Sequence, residues 1–315
     1  MRVAIAGTGR LAQLIAHHLH EDTSHQVVLL SRFVRTPFFS SAIAQPSLIA
    51  LGYRVQVVNY DDQESLRYAL NGVDTVISTV SGAPQYKLIE AAVHKRVRRF
   101  APAEFDGIPT LRPAVDPLDH GRAYALQLLE YYKASMQYTV FACGVFYERF
   151  APGGMAATGL GRSSGVSGEG NYLLDIRNMA GDAPLYNASN QQAVICMTAV
   201  QDVARFVVRA LDLTDWPPVL SMYTERMTVY QFVGYVQQFT GRPTTLTAGT
   251  PATLRARLAI AASQGDVAAQ WRLHHLIATA EGRYDLGSSR SLNATFPDVH
   301  TTSFRDWFLN AWAGV

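Results

Sequence analysis

Three groups of residues in this chain have the types and spacing to do chemistry. The first is Gly7-Thr8-Gly9-Arg10-Leu11-Ala12, which has the form G-x-G-x-x-G/A. The first glycine of such a turn permits a tight bend, and the second lets backbone approach a pyrophosphate. The small sixth residue allows close packing, and the N–H groups of the helix that follows face the anion. The second group is Leu30-Ser31-Arg32, with Arg35 three residues on. An acidic residue at this place would take a ribose 2′-hydroxyl, whereas a guanidinium forks onto a 2′-phosphate. The pattern therefore favours NADP(H) over NAD(H). The third group is His120 and Tyr124. A phenol with an ordinary pKa near 10 is a weak acid but a good hydrogen-bond donor to a carbonyl oxygen, and a histidine one helical turn away can relay its proton. The alternative is that Tyr124 is a core aromatic and His120 a partly exposed helix residue.

The elements that must position these groups alternate in period. Short, β-branched, nearly continuous apolar runs over 3–6, 27–30, 55–58, 75–79, 99–101 and 138–142 predict strands buried on both faces. Helical spacing over 11–20, 63–70, 85–94 and 117–135 predicts the helices between them. Asp116 is read as the N-cap of the last of these helices, with Pro117 at its first position, which puts His120 and Tyr124 at i and i+4 on one face. The fold class expected is α/β, a doubly wound parallel sheet of Rossmann type. The glycine- and serine-rich stretch 153–170 breaks the pattern. Beyond it a strand is expected over 194–198, and helices over 200–213, 228–240, 251–262, 267–281 and 303–312. The division expected is residues 1–152 as the NADP-binding domain and 153–315 as a smaller, mostly helical substrate-binding domain whose chain can return strands to the first sheet.

Composition narrows the classes. The chain has 315 residues, 48% of them hydrophobic and 17% charged, with 27 Lys+Arg against 25 Asp+Glu. That mixture excludes disorder, collagen-like repeats and coiled coil, and no basic face is concentrated enough for nucleic acid. Cys143 and Cys196 are read as reduced packing residues, and no metal site is expected. No run of 18 apolar residues occurs, and the N-terminus reads as a first strand, so no membrane partner is expected and the location expected is the cytoplasm. The lysines are Lys87, Lys95 and Lys133, with Ala83, Ala91 and Leu129 four places before them. No Tyr-x-x-x-Lys pair exists, which argues against the familiar short-chain dehydrogenase chemistry.

The glycine turn, Arg32, Ser78-Thr79-Val80, Arg99-Phe-Ala-Pro-Ala-Glu-Phe105 and Tyr138-Thr-Val-Phe-Ala-Cys-Gly-Val-Phe146 together resemble the isoflavone reductase-like, NmrA-like branch of atypical short-chain dehydrogenases. The similarity covers about half the chain closely. It implies an NADP-binding sheet with a small substrate domain. It also implies that Thr79, Val80, Pro102, Ala103, Gly144 and Phe146 join Gly7, Thr8, Gly9, Arg10, Leu11, Ser31, Arg32 and Arg35 around the cofactor. The family motif has the form Arg-Phe-x-Pro-Ser-Glu-Phe, and here Ala103 stands in the Ser place. A catalytic Lys follows that motif in the family, and aligning back from Tyr138-Thr139 puts Tyr124 at its position. Glu104 is read as structural rather than as a base. Phe146, Tyr147, Tyr172, Tyr186, Trp271 and Tyr284 are read as pocket lining or as ordinary core. Arg149 and Asp175 stay unassigned.

Two functions fit these readings. One is an NADPH-dependent reductase, or an isomerase using the same cofactor, acting on a medium-sized apolar or aromatic molecule that resembles a natural product. The other is a catalytically silent NADP sensor that binds a protein partner. A homodimer is left open.

Overall fold

The computed structural model describes residues 1–32, 46–161, 164–287 and 291–314. Contacts gather the chain into two compact units, residues 1–104, 119–141 and 204–220 in the first and 105–118, 142–203 and 221–315 in the second. In place of one cut at residue 152, the chain changes unit repeatedly along its length.

In the first unit the elements are β1 (Arg2–Ala6), α1 (Arg10–Asp22), β2 (Gln26–Arg32), α2 (Pro46–Ala50), β3 (Val55–Val58), α3 (Gln63–Ala69), β4 (Thr75–Ser78), α4 (Ala83–His94), β5 (Arg99–Ala101), α5 (Arg122–Tyr131) and β6 (Gln137–Tyr138). The six strands pair in parallel in the order β3-β2-β1-β4-β5-β6. This is the doubly wound Rossmann arrangement, and it agrees with the fold class expected. The apolar strands are buried on both faces because helices cover them. On α1, Leu11, Ala12, Ile15, Ala16 and Leu19 form the buried stripe. Val28, Leu30, Val58, Leu66, Leu88, Phe100 and Leu129 share one core cluster. Strand order reverses between β1 and β4, so the crevice beyond their carboxyl ends is where such a sheet takes a ligand.

Arg99, the first residue of the Arg-Phe motif, is only 1% exposed. Its guanidinium donates to the carbonyls of Leu211 (3.1 Å), Leu213 (2.5 Å) and Thr214 (2.6 Å). It also lies 5.2 Å from the centre of the Trp216 ring. The motif arginine is thus an internal clamp on residues 204–220, and its charge-assisted bonds replace the water that burial removed.

The helix expected over 117–135 is shorter. His120 (φ 50°) and Gly121 (φ 78°) are both left-handed, which a right-handed helix cannot include, so α5 starts at Arg122. Asp116 does not cap it. Its Oδ1 accepts the Leu118 N–H at 3.0 Å and its Oδ2 accepts from Arg283 Nη2 at 2.7 Å. The strand expected over 138–142 also divides. Thr139 N donates to Phe100 O, but Val140 N donates to Pro218 O, so the chain leaves β6 for the segment β7 (Val140–Ala142).

The remaining elements are β8 (Val145–Phe146), α6 (Gly154–Ala157), β9 (Leu174–Asp175), β10 (Ala180–Ala183), β11 (Val194–Thr198), α7 (Val200–Arg209), β12 (Val219–Ser221), β13 (Glu225–Thr228), α8 (Val229–Thr240), β14 (Thr245–Ala248), α9 (Pro251–Ser263), α10 (Val267–Ala280), α11 (Ser291–Thr295) and α12 (Phe304–Ala311). The second unit contains two small sheets, β9-β10-β14 and β8-β11-β13. The helix starts follow from capping chemistry. Thr228 with Gln231 and Thr250 with Thr253 form capping boxes, and Ser303 accepts the Asp306 N–H. The core holds Tyr147, Phe150, Tyr172, Phe232, Tyr284, Phe304 and Phe308.

Candidate functional site

β1 ends at Ala6, and Gly7 turns away with φ 110° while its N–H donates to Leu30 O at 3.0 Å. A side chain is excluded here, because a Cβ on Gly7 would lie 2.3 Å from Thr79 Oγ1. Thr79, just past β4, donates both its N–H and its hydroxyl to Ala6 O at 2.8 Å. Val80 is tied to Ser78 in turn, since Ser78 Oγ donates to Val80 O at 2.8 Å. The ends of β1 and β4 are therefore locked to one another at the switch point.

Gly9 differs from Gly7. Its φ is −73°, open to any residue, and a Cβ there would meet nothing within 4 Å. It is the N-cap of α1, with no side chain capping the helix and no acidic residue in the first turn. Gln13 Nε2 donates to Thr8 O at 2.8 Å and holds the loop from below. Leu11 and Ala12 are buried against the sheet while Arg10 is exposed. Neither the backbone angle nor the neighbouring side chains require glycine at position 9. The open cradle in front of an uncapped helix N-terminus fits a pyrophosphate.

At the end of β2, Ser31 is buried and Arg32 is exposed, opposite Val58 of β3. Arg35 lies outside the described residues. After β5, Pro102 and Ala103 begin a turn in which Glu104 N donates to Pro102 O at 2.7 Å. Ala103 N donates to Oε1 of Gln85 at 2.6 Å. Glu104 is 1% exposed and its carboxylate lies 3.5 Å from Arg122 Nη1. Arg122 thus supplies an opposite charge to a carboxylate that burial has taken out of water.

Tyr124 stands in the first turn of α5 and is 50% exposed, so it is not a core aromatic. Its ring meets Tyr86 edge-on, with centroids 4.6 Å apart and planes at 76°. His120 and Tyr124 do not share a helical face as expected, because His120 lies before the helix in a left-handed conformation. Tyr86 donates its hydroxyl to Gly121 O at 2.8 Å. Burial, first, and the neighbouring Asp119 and Tyr124 push the Tyr86 phenol above its ordinary pKa. Tyr86 and Gln85 carry no signal in the sequence, since their partners lie 35 and 18 residues away.

Gly144 and Phe146 fall in the second unit. Gly144 is needed for packing, as a Cβ there would lie 2.1 Å from Cys196 O. Phe146 is half-buried on β8 opposite Thr198. Of the aromatics read as pocket lining or core, Tyr147, Tyr172 and Tyr284 are buried core and Tyr186 is 43% exposed. Arg149 packs over the Tyr172 ring at 5.1 Å, and Asp175 holds the turn at Asn178. Both cysteines are buried thiols, and Cys196 Sγ accepts the Leu286 N–H at 3.3 Å. Among the described residues no group of His, Cys, Asp and Glu could hold a metal ion, and no helix is long and apolar enough to cross a membrane.

The model of the NmrA-like family matches residues 2–256. Oxidoreductase BOA1 of Botryotinia fuckeliana is 24% identical over 249 residues, covering 76% of each chain. Among solved structures, AtPrR2 with NADP+ and (+)pinoresinol superposes with a TM-score of 0.74 at 19% identity, covering 97% of both chains. A ternary complex of leucoanthocyanidin reductase from Vitis vinifera gives 0.70 at 17% identity, covering 98% of this chain and 99% of that one. The NADP(H) complex of triphenylmethane reductase from Citrobacter sp. gives 0.70 at 15% identity, with coverage of 98% and 99%.

Proposed function

This chain belongs to the NmrA-like family, and from that premise we propose that it is an NADPH-dependent reductase, or an isomerase using the same cofactor, for a medium-sized apolar, aromatic substrate. The observation that carries the reading is the open cradle at Gly9, where a glycine that nothing in the protein requires faces an uncapped helix N-terminus. NADPH fits these residues and, when bound, supplies a hydride. Gly7, Thr8, Gly9 and the first N–H groups of α1 hold the pyrophosphate, with Arg10 at the rim. Ser31 and Arg32 take the 2′-phosphate, and Thr79, Val80, Pro102 and Ala103 line the floor at the ends of β4 and β5. Tyr124, half-exposed, donates a hydrogen bond to the substrate oxygen through its hydroxyl. The first unit thus takes the cofactor-binding role and the second the substrate-binding role. The similar structures solved with NADP+ and (+)pinoresinol or with NADP(H) support an NADP-dependent enzyme.

A second reading, a catalytically silent NADP sensor, is favoured by one observation. His120 lies before α5 in a left-handed conformation, off the helical face of Tyr124 on which a proton relay was expected. Calorimetric titration with NADPH, followed by NADPH consumption over a set of aromatic enones and imines, separates the two. Tight binding with turnover supports the reductase; tight binding with none across the set supports the sensor; no binding overturns both.

A further inference from the structure

The first turn of α4 reaches both flanks of the site through two adjacent side chains. Gln85, fully buried, holds the Ala103 N–H on one side. Tyr86 holds the start of α5 on the other. We propose that Tyr86 is the positioning residue that fixes where the Tyr124 ring points, by packing against it and by pinning the backbone turn from which α5 starts. This rests on the reading of Tyr124 as the hydrogen-bond donor to substrate.

A half-exposed ring in a first helical turn has few neighbours to select its rotamer, and the edge-to-face contact with Tyr86 supplies one. Such a contact shifts a rotamer population by roughly two- to tenfold. The backbone has the same anchor. α5 starts after two left-handed residues; Gly121 has no side chain to cap it, Asp119 Oδ1 accepts the Ala123 N–H at 2.8 Å, and Tyr86 donates to the Gly121 carbonyl. Tyr86 Oη occupies the space beside Gly121 so closely that a Cβ there would lie 2.0 Å from it. The phenol, the glycine and the left-handed turn therefore form one fitted unit. Because the Tyr86 proton is committed to Gly121 O, Tyr86 leaves the donor role to Tyr124.

Two readouts test this on the full chain. In protein labelled with fluorotyrosine, the Tyr124 fluorine line is identified by its loss in Tyr124→Phe. Tyr86→Leu is expected to move and broaden that line, and Tyr86→Phe, which keeps the ring, to move it less. A Tyr124 line that stays in place in a folded Tyr86→Leu protein overturns the proposal. The second readout is NADPH turnover with benzylideneacetone as the aromatic enone. Tyr86→Leu is expected to lower kcat by about tenfold with NADPH affinity unchanged, and by less than about twofold when Tyr124→Phe is already present. Equal losses in both backgrounds indicate a general structural role and overturn it. If Tyr124→Phe turns over at the parent rate, the donor reading fails by itself, and the fluorine line still decides whether Tyr86 sets the ring.

Discussion

Gly7 and Thr79 interlock: the space that a Cβ on Gly7 would need is filled by the Thr79 hydroxyl, which donates to the Ala6 carbonyl one residue before the turn. The two glycines of the motif therefore have different duties, and substitution separates them. Gly7→Ala is expected to destabilise the fold by about 1–3 kcal/mol, since it combines a left-handed φ with a collision. Gly9→Val is expected to leave the melting temperature nearly unchanged and to abolish NADPH binding. Thermal denaturation paired with calorimetric titration reads both. A folded Gly9→Val protein with undiminished affinity would reduce the turn to a connector.

Arg32 is expected to set cofactor preference. NADPH is expected to bind more tightly than NADH, and Arg32→Ala to remove most of the difference, roughly tenfold to a hundredfold in affinity, as for one charge-assisted hydrogen bond. Parallel titrations of the two cofactors measure it, and indistinguishable curves for the unmutated protein would count against the assignment.

Tyr124→Phe is expected to lower kcat by about 10²–10⁴-fold with little change in NADPH affinity, if its hydrogen bond strengthens in the transition state. The half-exposed ring makes the substitution mild for stability. A lowered rate in a protein of parental melting temperature is thus attributable to the hydroxyl. Turnover at the parent rate would remove Tyr124 from the mechanism.

Stability should respond to pH through two buried groups of opposite sign in the second unit. Burial, with the like charge of Asp202 adding to it, raises Glu148 from 4.5 to about 7, although Val200 N donates to its carboxylate at 3.2 Å. Its native form holds a proton that the unfolded chain releases, so its contribution is present below pH 4.5 and is lost as pH rises to about 7. Burial, followed by the Arg149 charge, lowers His275 from 6.5 to about 3, so its contribution is present above pH 6.5 and is lost as pH falls to about 3. Between pH 4.5 and 6.5 the two slopes oppose each other, and stability should be nearly flat. Glu148→Gln is expected to raise stability at about pH 8 by up to a few kcal/mol and to change little at about pH 5. Denaturant titration across pH checks this, and a gain that is equal at both pH values would argue for another cause.

Much of the fold was legible because its signals are local. The glycine turn, the apolar runs of β1 to β5 and the caps at Thr228, Thr250 and Ser303 each act within a few residues, and the helices they start lie within a residue or so of their expected bounds. The region from Asp116 to Tyr124 misled for a physical reason. Asp-Pro is a good helix start, but Asp116 is drawn to Arg283, 167 residues away, and the left-handed pair at 120–121 delays the helix. The interleaving of the two units was hidden for the same reason, because its fastenings join residues more than a hundred positions apart, as Arg99 does with Leu211. In the candidate site, the glycine turn between β1 and α1 was readable from spacing alone. The supports of Tyr124 were not, since no periodicity links Tyr86 to Gly121.

The clamp at Arg99 also orders events during synthesis. A chain emerging from the ribosome at about 5–20 residues per second exposes β1 to β5 well before residues 211–214 exist to receive the Arg99 guanidinium. Until then the arginine cannot be buried at β5 without leaving a charge unsatisfied, so the edge of the nascent sheet must stay open and hydrated. The burial of β5 is therefore expected to be completed late and not as each strand emerges. Its completion waits for a segment made after much of the second unit, and a protein truncated before residue 214 should be held in that open state, a substrate for chaperones rather than a smaller version of the fold.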